Sequence, residues 1–175
     1  FARACVDEGA SGIFFGVGGG GEIWSRMSRR QLEDYGLRYD RKVLEAVRDA
    51  PIKLLHICSN DMENPQKDGG LMEEGWFKGY PVDAINWWDR SFTPAQTAKR
   101  VYGGRFCIVA GVDQRKTMLR CTPQAVEEEV RSAIEAAAGG GGFIVGPGCT
   151  LAQDTPLVNY NAVARAVEKY GWYRR

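Results

Sequence analysis

The chain has 175 residues, 44% of them hydrophobic and 26% charged, with 23 basic and 22 acidic side chains and a formal net charge of +1. This is globular composition, which excludes disorder, and the near-neutral balance excludes the electrostatic footprint of a nucleic-acid or anionic-membrane binder. No apolar run approaches the roughly 18 residues of a membrane span, and no signal peptide opens the chain.

Residues 1–10 (FARACVDEGA) read as the end of a helix already under way, and the first residue is Phe1, not Met. Residues belonging before Phe1 are therefore expected to be missing from this sequence. Short, nearly continuous apolar runs then recur at residues 12–15, 53–58, 84–88, 106–111 and 142–145. Such runs suit strands buried on both faces, as in a parallel sheet covered by helices.

The segments between them read as helices. Over residues 28–49, Leu32, Tyr35, Tyr39, Val43 and Val47 recur at steps of three and four, which predicts one buried stripe. Ser28 with Gln31 and Thr93 with Gln96 predict capping boxes. Thr122-Pro123 and Thr155-Pro156 predict two further cap-then-proline helix starts. Val126, Val130 and Ile134 line the next helix, and Val163, Val167 and Tyr170 the last.

Alternating strands and helices predict an α/β domain with parallel strands. An open doubly wound sheet and a (βα)₈ barrel compete. The strands recur about every 33 residues, so eight units would need about 260, close to the ~250 of a barrel. On the barrel reading this chain covers roughly the last five βα units of one domain.

In either architecture ligands bind at the carboxyl ends of the strands. The second strand ends in His56-Ile57-Cys58, and side chains at i and i+2 share one side of a strand. The fifth ends in Gly146-Pro147-Gly148, a turn that would hold Cys149 on the same rim. One imidazole and two thiolates make a three-ligand zinc site with the fourth position open, the catalytic type. Cysteine is also among the most buried residue types, and a lone His can be a satisfied core side chain. The metal reading is preferred because His56 is the only His and a third soft ligand ends another strand.

The five cysteines are odd in number and lack scaffold spacing, so reduced thiols in a cytoplasmic protein are expected. Cys5, Cys107 and Cys121 are read as structural. Among the other residues at strand ends, Asp61, Asp89 and Asp113 are the candidate catalytic carboxylates. Asn60, Trp87 and Gln114 are the candidate substrate contacts. Glu22, Arg90, Arg115 and Asp154 share the same rim. Two glycine runs, residues 18–21 and 139–142, read as a rim loop and as a helix stop on the opposite face.

With these residues in hand, the chain resembles the uroporphyrinogen decarboxylase-like superfamily over essentially its whole length, in the family's C-terminal portion. The matching segments are LLHICSND, AINWW followed by Asp89, IVAGVDQRKTML followed by TPQAVEEEV, and GGFIVGPGCTLAQDTPLVNYNAVARAVEKYG. The resemblance implies a (βα)₈ barrel. Within the superfamily, zinc methyltransferases similar to methylcobamide:coenzyme M methyltransferases use H-x-C and a late Cys in P-G-C, which His56, Cys58 and Cys149 match. Ser59 stands where that branch often has Gly. Gly111-Val112-Asp113 stands where G-N-x-D is usual.

This implies zinc-dependent transfer of a methyl group from methylcobalamin, carried on a corrinoid partner protein, to a small thiol. Asn60, Asp61 or Asp113 would orient His56. No nucleic acid or membrane partner is expected, and a homodimer is left open. The alternative is a metal-free uroporphyrinogen decarboxylase of porphyrin biosynthesis. That branch carries a His in a G-H-G context where this chain has Cys149. A third reading is a corrinoid- or thiol-binding module without activity.

Overall fold

The computed structural model describes residues 1–17, 27–58 and 71–172. The expectations for residues 18–21, Glu22, Ser59, Asn60 and Asp61 fall outside these residues. Five strands form the sheet: β1 (Gly12–Val17), β2 (Ile52–Ile57), β3 (Ala84–Trp87), β4 (Cys107–Val112) and β5 (Phe143–Pro147). All neighbours are parallel and the spatial order is β1-β2-β3-β4-β5. A doubly wound sheet reverses its order at a switch point. This one never does, and its fold class is the α/β barrel type.

Apart from β2 and β3, between which the described residues hold a short 3₁₀ turn (Trp76–Gly79), α-helices separate the strands. The helices are α1 (Ala2–Asp7), α2 (Arg29–Leu32) running through a π-helical turn (Glu33–Leu37) into α3 (Arg38–Glu45), α4 (Ala95–Tyr102), α5 (Thr117–Arg120), α6 (Pro123–Ala137) and α7 (Leu157–Tyr170). Among the described residues no helix is long and apolar enough to cross a membrane. The main core lies between sheet and helices and takes Leu55, Ile57, Ile85, Trp87 and Ile108 from the strands.

The expected stripe on the first long helix is corrected. Leu32, Leu37, Leu44 and Val47 are buried, whereas Tyr35, Tyr39 and Val43 are exposed. The π turn is the reason: its wider ring adds a residue to the turn, so the buried face steps from Leu32 by five to Leu37. On the last helix Val163 and Tyr170 pack partly buried against a second core as expected, beside the buried Asn159, Ala162 and Ala166, and of the expected three Val167 alone is exposed.

Two of the four expected caps form. Ser28 and Gln31 make a reciprocal capping box, and the Thr122 side chain accepts from Ala125 N–H. At α4 and α7 the proline itself is the N-cap, with extended ψ of 150° and 130°. Thr93 and Thr155 thus stand one residue too early to cap. The second glycine run stops α6: Gly140, Gly141 and Gly142 all adopt positive φ, which L side chains rarely tolerate. Lys99 Nζ donates to the Gly141 carbonyl and holds that turn.

Candidate metal centre

Register places the functional side chains. His56 pairs with Gly16 on one side and Asn86 on the other, and Asn86 pairs with Val109. Paired residues of adjacent strands point to the same face, so His56 and Asn86 lie side by side. Trp87, one residue on, points the other way into the helix-facing core.

Asn86 donates from Nδ2 to the carbonyls of Val109 at 2.8 Å and Pro147 at 3.0 Å. Both amide hydrogens are thereby used, and Oδ1 meets His56 Nδ1 at 2.6 Å. An oxygen at that position accepts, so Nδ1 carries the proton and Nε2 keeps its lone pair. Nε2 faces Cys149 Sγ at 3.5 Å. The Phe14 ring stacks on the imidazole, with centroids 5.3 Å apart and planes at 29°. Burial holds His56 below the ordinary histidine range, against the opposing effect of the Asn86 bond. The neutral ring with a free Nε2 is the form that ligates a metal.

Cys58 continues the His56 side of β2 and completes the cluster. The His56 nitrogen and the Cys58 and Cys149 sulfurs all lie within 4.8 Å of one another. Burial first and the nearby Cys149 second push the Cys58 thiol up to about 11, against the opposing effect of the Arg115 guanidinium. A tetrahedral site with Zn–S of about 2.3 Å and Zn–N of about 2.1 Å separates a ligand nitrogen and sulfur by about 3.6 Å. The observed 3.5 Å fits that spacing. One borderline nitrogen and two soft sulfurs, with no fourth side chain in the cluster among the described residues, fit zinc with an open position. The other three cysteines are free thiols outside the cluster, as expected.

Cys149 is delivered by a tight corner. A Cβ on Gly148 would stand 2.9 Å from Trp88 Cα and 3.0 Å from both the Trp87 carbonyl oxygen and Gln114 Oε1. Only glycine allows this approach, because two of the three obstacles are backbone. Gln114 therefore sits against the Cys149 corner, buried at 5% exposure.

The remaining candidates lie elsewhere. Trp87 is 1% exposed and donates from Nε1 to the Thr93 carbonyl, so it is enclosed by core and not open to a substrate. Its neighbour Trp88 borders the corner and carries the Arg115 guanidinium 4.6 Å above its ring. Asp89 accepts the Gly111 N–H through Oδ2 at 3.1 Å and stands 3.6 Å from Arg90 Nε. Burial pushes its carboxyl up to about 6, against the lowering effects of Arg90 and the Gly111 N–H. Asp113 spends Oδ1 on the N–H groups of Arg115 and Lys116, both at 2.8 Å. Neither aspartate is bonded to His56. Asn86 holds that place, and its only trace in the sequence is one polar residue interrupting an apolar strand.

The family model for uroporphyrinogen decarboxylase (URO-D) matches residues 1–170. Among solved structures, a methyltransferase from Methanosarcina mazei superposes with a TM-score of 0.73 at 24% sequence identity. The match covers 98% of this chain and 45% of that one, so the chain spans less than half the length of its structural relative. At this identity the likeness is one of fold. No curated protein matches the chain.

Proposed function

The chain belongs to the uroporphyrinogen decarboxylase family, and within it we propose a zinc-dependent methyltransferase that moves a methyl group from a corrinoid partner protein to a small thiol. The observation that carries the reading is the convergence of His56, Cys58 and Cys149. Their pattern, H-x-C with a late P-G-C, resembles that of the zinc methyltransferase branch, and their spacing suits a tetrahedral zinc. No observation favours the metal-free decarboxylase.

His56 would offer Nε2 while Asn86 keeps the proton on Nδ1 and the ring in plane. Cys58 and Cys149 would give up their protons on binding, a step the buried Cys58 resists and the Arg115 charge assists. Phe14 shields the imidazole from water on one face. Bound there, zinc would supply a positive charge that lowers the pKa of a thiol at the open position.

The same reading makes this chain the C-terminal part of one barrel domain. Phe14, Ile52 and Ile144 leave 67%, 56% and 52% of their surface exposed, apolar surface that further strands of the same domain would cover.

Metal analysis of the purified protein tests the centre. About one zinc per chain is expected, with loss of it in Cys149→Ser. The activity is tested with methylcobalamin and a panel of small thiols, following loss of the methylcobalamin absorbance. Wild-type protein that takes up no zinc, or zinc-loaded protein that transfers no methyl group, overturns the reading.

A further inference from the structure

Three charged side chains converge on the end of β4, and the chemistry proposed above uses none of them. Asp89 Oδ2 accepts the Gly111 N–H, and Arg90 donates to the Gly111 carbonyl at 2.6 Å. Arg90 Nε pairs with Glu129 Oε1 of α6 at 3.2 Å. Glu129 Oε2 in turn accepts the Asp113 N–H at 3.2 Å. The two carboxylates are largely buried, at 2% and 17% side-chain exposure, and Arg90 is at 32%. Gly111 and Asp113, the two residues that flank Val112 at the end of β4, are thus held by ionic groups.

A buried ionic cluster is a poor source of stability, since desolvation offsets the attraction. Its position suggests a different use. Gly111 and Val112 pair with Gly146 and Pro147, and Gly148 N–H donates to the Val112 carbonyl. Gln114, just beyond, packs on Gly148. The strand end that the cluster grips is therefore the bed on which residues 146–149 rest.

We propose that Asp89, Arg90 and Glu129 form a clamp that positions Cys149 against His56 and Cys58. They are positioning residues: they act on the sulfur through Gly111, Val112 and the Gly148 corner. The role in metal binding rests on the reading of the trio as a zinc centre, but the placement of the sulfur does not.

The test uses a readout that needs no metal. Metal-free protein is treated with the diazene diamide, which takes the two thiol hydrogens and becomes a hydrazine while Cys58 and Cys149 join as a disulfide. Peptide mapping by mass spectrometry follows that bond. Glu129→Ala is expected to slow its formation about tenfold, the scale on which outer-shell partners act at metal sites. Glu129→Gln, which keeps an oxygen for the Asp113 N–H, is expected to restore most of the rate. If Glu129→Ala does not fold, Arg90→Lys serves, since it loses the fork that reaches the Gly111 carbonyl. A wild-type rate in the folded variant overturns the clamp. With cobalt in place of zinc, Glu129→Ala should shift the thiolate-to-metal bands toward those of Cys149→Ser. Wild type that binds no metal but shows clamp-dependent disulfide closure retires the zinc reading alone. Metal binding with unchanged closure rates retires the clamp alone.

Discussion

Asn86 and Asp89 sit three residues apart at the end of β3, both 4% exposed, and they solve the problem of a buried polar side chain in opposite ways. Asn86 is neutral and uses both amide hydrogens and its oxygen, two bonds to carbonyls and one to His56. Asp89 is ionisable. One of its oxygens holds Gly111 N–H, while Oδ1 is buried without a partner among the described residues. The neutral group faces the thiols and sets a tautomer. The charged one faces the other way and sets a strand end. A buried amide with every bond made orients His56 without adding charge beside it. A buried carboxylate has to be held in check by Arg90.

Three experiments would break or sharpen that contrast. The largest effect is expected from Asn86→Leu, which leaves His56 Nδ1–H and the Val109 and Pro147 carbonyls unpaired. Removing such partners costs roughly 2–4 kcal/mol, and freeing the ring should weaken zinc binding about 10–100-fold. Zinc competition titration and denaturant unfolding measure the two losses; unchanged zinc affinity would show that Asn86 is merely structural.

Next comes the pH dependence carried by Asp89. Its folded pKa, about 6, lies above the 3.8 of an unfolded aspartate. Between those values the folded state holds more protons, so stability falls as pH rises and levels off above about 6. The fall attributable to this group is on the order of 3 kcal/mol. Denaturant unfolding at pH 4 and pH 7, wild type against Asp89→Asn, reads it as a difference of slopes. Parallel profiles for the two proteins would mean that Asp89 is solvated after all.

The smallest effect is expected from Asp113→Ala. It removes a side-chain oxygen from two loop N–H groups, a loss of about 1 kcal/mol, like that of a helix cap. Zinc affinity should stay at the wild-type value; a large drop would return Asp113 to the metal centre.

The fold was legible because its signals are local and repeated. Five short apolar runs predicted five strands, and each was found within one or two residues of the expected ends. The convergence of His56, Cys58 and Cys149 was legible for a related reason. An i, i+2 pair at a strand end faces one way whatever surrounds it, and a Gly-Pro-Gly turn announces the third ligand.

What was not legible depends on contacts the sequence does not encode locally. The Tyr35, Tyr39 and Val43 stripe has sound 3.6-residue spacing and is exposed, because a π turn at Glu33–Leu37 shifts the buried face. Asp89 and Asp113 looked catalytic because charge at a strand end suggests chemistry, yet each is bonded to backbone. Asn86 looked like an interruption because its three partners come from two other strands and the end of a third. Trp87 and Trp88 were separable in principle by alternation, but only packing tells which of the pair meets the corner.

The sequential strand order has a consequence for how this arc assembles. Each strand lies beside its predecessor in the chain, so every new strand and helix finds its docking edge already built as the polypeptide emerges. The centre does not share that convenience. Cys149, which follows the fifth strand, and His56, on the second, are 93 positions apart. The imidazole meets Asn86 with the third strand, and Asn86 makes its full set of bonds only when the Val109 and Pro147 carbonyls of the fourth and fifth are in place. The cluster of His56, Cys58 and Cys149 is therefore complete only when every layer between the second and the fifth strand has found its place.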